Sequence, residues 1–188
     1  MRLNVRFAGA GGQGIILSSV LLAKAYGLGE DFNISQTQSY GPEARGGACK
    51  AEVVVSDEDI DYMKVDNVDV FIAYNQKRYD KYCIDLGNSA MVLINSTLVR
   101  TQNPNHYEIP GTKIAEEMGK PMVVNMVMLG ALTKLLPKLH YDKMLNTIQG
   151  DFPAPLRAIN VEAFDKGYQY MEKMLEAKAE SSRKELQQ

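Results

Sequence analysis

Two glycine-rich stretches near the N-terminus of this 188-residue chain hold the residues best placed for chemistry. The first is Gly9-Ala10-Gly11-Gly12-Gln13-Gly14. It follows Leu3-Asn4-Val5-Arg6-Phe7-Ala8, whose apolar and polar side chains alternate as in a strand. Ile15, Ile16, Ser19, Leu22, Ala23 and Tyr26 then recur at helical spacing. A strand, a tight turn and a helix N-terminus leave backbone N–H groups that favour a phosphate or carboxylate. Glycine lets the backbone bend sharply and lets a ligand come close. The same residues also suit a turn that only packs helix against sheet.

Gly9, Gly11 and Gly14 satisfy G-x-G-x-x-G, yet the rest of the nicotinamide fingerprint is missing. That fingerprint places an Asp or Glu about 20 residues further on, at the end of the second strand, to hold the ribose. Here the region reads Asn33-Ile34-Ser35-Gln36-Thr37, and Asp31 falls ahead of the strand. Gly12 and the Gln13 amide also lie outside the pattern. A ligand carrying a phosphate is compatible with the turn; NAD is not the expected one.

The second stretch, Gln38-Ser39-Tyr40-Gly41-Pro42-Glu43-Ala44-Arg45-Gly46-Gly47, reads as a polar loop between a strand over 32–37 and another over 48–55. Gly41-Pro42 marks a turn, and Gly46-Gly47 permits close backbone approach. Arg45 suits bidentate recognition of a carboxylate or phosphate. Strand C-termini in an α/β sheet share one edge, where ligands gather, so both loops are expected to line one surface.

The elements that must position these loops read as one α/β layer fold. Apolar runs at 68–73 and 90–94 suit buried parallel strands, and 107–109 a last edge strand. Helices are expected at 78–84, from an N-cap at Thr112 through Met118, at 126–136 before Pro137, and from a cap at Asn160 onward. Helix 126–136 is apolar nearly all round and should be buried on several sides. Phe164, Tyr168 and Met171 share one face of the last helix. Residues 1–175 are expected to form a single domain, with 176–188 as a charged helix end or disordered tail. The expected class is a three-layer α/β/α fold with a mostly parallel, mixed, Rossmann-like sheet.

Charge and composition narrow the function. A net charge of −2 suggests no nucleic-acid surface. No apolar run approaches the roughly 20 residues that span a bilayer, and no signal peptide is evident, so a cytoplasmic protein is expected. The two cysteines, Cys49 and Cys83, are too few for an Fe4S4 cluster, which takes four thiolates, and no CxxC occurs. His106 and His140 lack partners for a triad or metal site and are expected at the surface. No catalytic residue and no metal ligand is assigned.

In combination these residues resemble the gamma subunit, or gamma domain, of the 2-oxoacid:ferredoxin oxidoreductases. Gly9 to Gly14 matches that family's G-x-G-G-Q-G turn, and Ser39 to Gly47 its S-Y-G-P-E-x-R-G-G loop. Val54-Val55-Ser56-Asp57-Glu58 with Ile60 is similar to its V-I-S-D-E-x-I stretch, and Asn75-Gln76 to its A-x-N-Q turn. Asn125-Met126-Val127-Met128-Leu129-Gly130 is similar to N-M-x-x-L-G, and Asn160 to Gly167 to N-x-x-A-F-x-x-G. The motifs run in register from about residue 3 to 170.

The resemblance implies an enzyme that decarboxylates a 2-oxoacid oxidatively, adds coenzyme A and reduces ferredoxin. It implies thiamine diphosphate, Mg2+ and iron–sulfur clusters in the holoenzyme, none of them bound by this chain alone. The family's G-D-G…N-N thiamine signature does not occur here. Alpha and beta thiamine-binding subunits and a ferredoxin-like delta subunit are the implied partners, with a homodimer expected of the isolated chain. Asp61-Tyr62 leans toward the 2-oxoglutarate type over the pyruvate type. The two glycine loops are expected to contact coenzyme A or partner subunits. The competing reading is a stand-alone Rossmann-type nucleotide- or dinucleotide-binding protein.

Overall fold

Five strands with apolar positions and one polar strand form in the computed structural model, which describes residues 1–28, 31–41, 47–84, 86–87 and 89–185. The strands are β1 (Arg2–Ala10), β2 (Asn33–Tyr40), β3 (Ala48–Ser56), β4 (Val70–Ala73), β5 (Met91–Asn95) and β6 (Tyr107–Ile109). They form one sheet in the order β2-β3-β1-β4-β5-β6. β1, β4, β5 and β6 run parallel, while β3 is antiparallel to both β1 and β2. β4 and β5 read as continuous apolar runs because both their faces are covered.

Helices lie on both sides of the sheet. α2 (Gln76–Cys83) covers one face through Tyr79 and Tyr82. The other face carries α1 (Ile15–Gly27), α3 (Gly111–Glu117), α4 (Val124–Leu135), α5 (Tyr141–Asp151) and α6 (Ala154–Glu185). The expected three-layer α/β/α fold with a mixed sheet is what the chain adopts. α4 is buried all round, as its composition demands, and is enclosed by α1, α3, α5 and α6.

Several expected boundaries move, each for a local reason. β2 extends to Tyr40 rather than stopping at Thr37, because its ladder with β3 continues to the pair Tyr40–Cys49. Thr112 sits inside α3 and does not cap it. Instead Asn95, at the end of β5, accepts from the Thr112 N–H at 3.1 Å and donates to its hydroxyl at 2.8 Å. Asn160 also lies within a helix, its amide donating to the Leu156 carbonyl at 2.8 Å, since α6 begins earlier at Ala154. Pro155 is tolerated there because the first helical turn has no use for its missing N–H. Past Leu175 the side chains are exposed, yet helix continues to Glu185, with the Lys178 ammonium 4.9 Å from the Tyr107 ring centre.

His106 corrects the surface expectation. It is buried between α2 and the β5–β6 connection, with Nδ1 3.3 Å from both the Tyr79 hydroxyl and the Thr101 hydroxyl. The donor-rich sequence around it, Asn103-Pro104-Asn105, gave no apolar signal for burial. His140 is exposed as expected.

α4 and α6 meet backbone to backbone. A Cβ on Gly130 would stand 2.0 Å from the Phe164 carbonyl oxygen, and one on Gly167 would stand 1.9 Å from that of Val127. Gly167→Ala is therefore expected to cost about 3 kcal/mol or more, because main chain cannot rotate away as a side chain can. Gly150→Ala, where a Cβ on α5 meets nothing within 4 Å, should instead gain roughly 0.5–1 kcal/mol. Urea titrations of the two variants check the contrast.

Burial lowers the His106 pKa, against a smaller opposing effect from Glu108. The folded chain thus binds fewer protons than the unfolded chain just below the ordinary imidazole value of 6.5. The associated stability is fully present above that value and is lost as pH falls through the lowered one. His106→Gln should flatten this part of the stability–pH curve, measured by chemical denaturation at a series of pH values.

Candidate functional site

The hairpin formed by β2 and β3 brings the two glycine loops together. Because β3 runs antiparallel, its start lies beside the end of β1, with Gly9 opposite Cys49 and Ala10 opposite Ala48. Tyr40 lies opposite Cys49 on the other side. The Gly11 N–H donates to the Gly47 carbonyl at 3.0 Å, and the Gly41 N–H to the Ala48 carbonyl at 2.7 Å. The expected shared surface is present, but an antiparallel hairpin builds it, not parallel strand ends alone. Pro42, Glu43, Ala44, Arg45 and Gly46 lie outside the described residues.

On this edge Gly11, Gly12, Ser39 and Tyr40 are exposed, Gln13, Gly14 and Gly41 are half-buried, and Gly47 is buried. Ser39 and Tyr40 are strand residues, so their side chains point to opposite faces. Gly14 is the position where glycine is indispensable. Its φ is 71°, and a Cβ would fall 2.5 Å from the Asn125 side-chain amide. Gly12 has φ 93°, but a Cβ there meets open space, so only backbone strain restricts it.

Between β1 and β4 the connections diverge. α1 leaves to one face of the sheet and α2 to the other, which makes this the topological switch point where α/β proteins open a crevice. Here side chains close it. The Gln13 carbonyl oxygen accepts from the Ala10 N–H at 2.7 Å and from the Asn75 amide at 2.8 Å. Asn75 in turn caps α2, its oxygen accepting from the Arg78 N–H at 3.1 Å. The buried Arg78 guanidinium donates to the Gly9 carbonyl at 3.4 Å. A dinucleotide needs that crevice open for its pyrophosphate, so the Gln13–Asn75 bracket weighs against the dinucleotide reading.

Sequence reasoning singled out Gln13 and Asn75 separately and missed their contact, and it missed Arg78 and Lys50 entirely. The one available signal was the family's A-x-N-Q turn. Lys50 stands beside the second loop on the α2 face. It pairs with Glu52 at 3.1 Å, and Arg6 pairs with the same carboxylate at 2.7 Å. Thr37, Ser39, Lys50, Glu52 and Lys64 line a cavity of about 320 Å³ there. On the rim of the glycine edge, Tyr40, Leu98 and Met122 expose large apolar side chains, Met122 to 90%.

The edge offers backbone donors, amides, a cation and apolar contact area. Among the described residues it shows no nucleophile hydrogen-bonded to a base, and no group of three or more His, Cys, Asp and Glu that could hold a metal ion. Cys49 lies buried in β3, where burial raises its thiol pKa, and Cys83 lies on α2. Two thiols cannot supply the four an Fe4S4 cluster takes, so the chain does not fit that group. Among the described residues no helix is long and apolar enough to cross a membrane.

Removing the bracket should loosen the turn without altering the sheet. Gln13→Ala leaves the Ala10 N–H and the Asn75 amide short of an acceptor, at a cost of about 1–3 kcal/mol. Asn75→Ala should cost a similar amount. The double variant should cost less than the sum of the two, because the single variants break one shared hydrogen bond. Denaturant titration of all three checks the coupling.

Comparison with known proteins gives the chain its relatives. Residues 4–170 match the model of the family described as pyruvate ferredoxin/flavodoxin oxidoreductase. The chain is 45% identical over 175 residues to 2-oxoglutarate synthase subunit KorC of Methanocaldococcus jannaschii, covering 90% of this chain and 94% of that protein. It superposes on the gamma subunit of the keto/oxoacid ferredoxin oxidoreductase of Geobacter sulfurreducens with a TM-score of 0.79 at 33% identity, covering 90% and 95% of the two chains. A TM-score of 0.82 at 26% identity relates it to the 2-oxoglutarate:ferredoxin oxidoreductase of Magnetococcus marinus, solved with 2-oxoglutarate, coenzyme A and succinyl-CoA bound, covering 92% of this chain and 31% of that one. From residue 4 to residue 170, this chain belongs to the pyruvate ferredoxin/flavodoxin oxidoreductase family, as a gamma-type component.

Proposed function

We propose that this chain is the gamma subunit of a 2-oxoglutarate:ferredoxin oxidoreductase. The reaction takes 2-oxoglutarate, coenzyme A and two oxidised ferredoxins to succinyl-CoA, CO2 and two reduced ferredoxins. The observation that carries the reading is the joined pair of glycine loops, tied by the Gly11–Gly47 hydrogen bond, in a chain 45% identical to a 2-oxoglutarate synthase subunit. The pattern Asp61-Tyr62 after Ile60 leans the same way.

In this reading thiamine diphosphate, Mg2+ and the iron–sulfur clusters sit on alpha, beta and ferredoxin-like delta subunits in the cytoplasm. The gamma chain contributes shape. Its glycine edge faces the thiamine-binding subunits, with Tyr40, Leu98 and Met122 as apolar contacts at the rim. Gly9, Gly11, Gly12, Gln13 and Gly14, with the loop from Ser39 to Gly47, border the path of coenzyme A. There the N–H groups of the first turn of α1 and the guanidinium of Arg45 suit its phosphates.

A tagged chain recovered from its native host tests the subunit role. Thiamine-binding chains should co-purify, with the brown absorbance of thiolate-ligated clusters; a colourless lone protein would refute it. Arg45→Ala tests the loop. In the assembled enzyme it should raise the KM for coenzyme A or weaken assembly by about ten- to a hundredfold, the worth of a charge-assisted contact, with an unchanged circular dichroism spectrum. Wild-type kinetics together with wild-type stoichiometry would remove Arg45 from the site.

A further inference from the structure

The sheet has two edges, and they are treated differently. β6 is three residues long, and α6 lays Lys178 over its Tyr107. Short and covered edges are how soluble proteins avoid pairing with other chains. Among the described residues β2 has none of these protections. It is eight residues long and reads Asn33-Ile34-Ser35-Gln36-Thr37-Gln38-Ser39-Tyr40, with no charge and no proline.

The ladder fixes which backbone groups face outward. The Gly41 N–H bonds to the Ala48 carbonyl directly opposite it. In an antiparallel pair such bonded positions alternate. Ser39, Thr37 and Ser35 therefore turn their N–H and C=O groups toward β3. Tyr40, Gln38, Gln36 and Ile34 turn theirs to the open edge. Among the described residues, no backbone hydrogen bond outside the sheet involves those four positions.

We propose that β2 is a self-pairing edge, and that the isolated chain dimerises by antiparallel β2–β2 pairing about a twofold axis at Thr37. This register uses all four outward positions. Ile34 meets the partner's Tyr40, and Gln36 meets the partner's Gln38, which gives about eight backbone hydrogen bonds, two for each narrow pair. Side chains agree with it. Ile34 and Tyr40 lie on the same face of the sheet, opposite the core residues Val55 and Cys49, so the cross-strand pair is β-branched against aromatic. Tyr40, 65% exposed in the single chain, gains cover. On the other face Thr37 meets the partner's Thr37 and Ser35 the partner's Ser39. No like charges are brought together. The commitment to a second copy rests on this self-complementarity: one strand supplies both halves of every pair. The inference does not depend on the subunit reading.

Light scattering on the purified full chain, over a concentration series, should give twice the mass of one chain. Gln38→Pro removes an N–H that points outward and costs no bond to β3. It should yield a monomer with an unchanged circular dichroism spectrum and melting temperature. In a Cys83→Ser background, Thr37→Cys should oxidise to a disulfide dimer, since facing residues of a non-hydrogen-bonded pair stand about 4.5 Å apart at Cα, within disulfide range. Gln38→Cys in the same background should not. A wild-type chain that stays monomeric, or a dimer that survives Gln38→Pro, overturns the proposal. So does a monomeric wild type whose assembly with the thiamine-binding subunits is blocked by Gln38→Pro, which would give the edge to a strand of another subunit.

Discussion

Contact between bare main chain at Gly130 and Gly167 governs the half of the molecule that carries α4. With no side chain between them, α4 and α6 approach until each glycine touches the other helix's carbonyls. Helices that cross on ordinary side chains sit 8–10 Å apart, with latitude in rotation and slide. Backbone contact removes that latitude. The start of α4 is thereby fixed, and with it Asn125, whose amide packs on Gly14 at the head of α1. The glycine turn is thus held from behind by a helix crossing far from it in sequence.

From the front the turn is held by amides. The Gln13–Asn75 bracket occupies the switch point that a dinucleotide protein leaves empty, and the Gly11 and Gln13 N–H groups are spent on Gly47 and Ala10. The turn therefore has fewer donors to offer a ligand than its glycine count suggests. What remains is the start of α1, flanked by the second loop and by exposed apolar side chains. Such a surface suits contact with large partners and the flank of an extended ligand better than enclosure of a small one.

Much of this was legible in the sequence. Strand and helix identities follow from periodicity at β1, α1, β3 and α4, where burial on one face or on all sides leaves a strong pattern. The adjacency of the two loops was also legible, since both sit at ends of consecutive strands. Residues that act across the sheet were not. Asn95 capping α3 and Arg78 reaching Gly9 join positions far apart in sequence, and no local pattern records such pairs. His106 was misread for a related reason: its burial comes from Tyr79 on α2, while its own neighbours are turn formers. β2 ran longer than expected because pairing with β3 outweighed its weak intrinsic preference.

The two faces of the sheet explain that polarity. Toward α1 the hairpin contributes Ala51, Val53 and Val55 to the main core. Toward α2 the same strands present Thr37, Ser39, Lys50 and Glu52, and β1 adds Arg6. Glu52 is buried, so its carboxylate requires cationic partners, and Arg6 and Lys50 supply them. Arg6 also lies 5.8 Å from the centre of the Tyr82 ring, which links the ion pairs to α2. An apolar packing there would tolerate sliding, whereas a buried carboxylate shared by two cations has one low-energy arrangement. The hairpin is therefore pinned electrostatically on one face and by close packing on the other. The two ends of the second loop, at Tyr40 and Ala48, are thereby held in one arrangement.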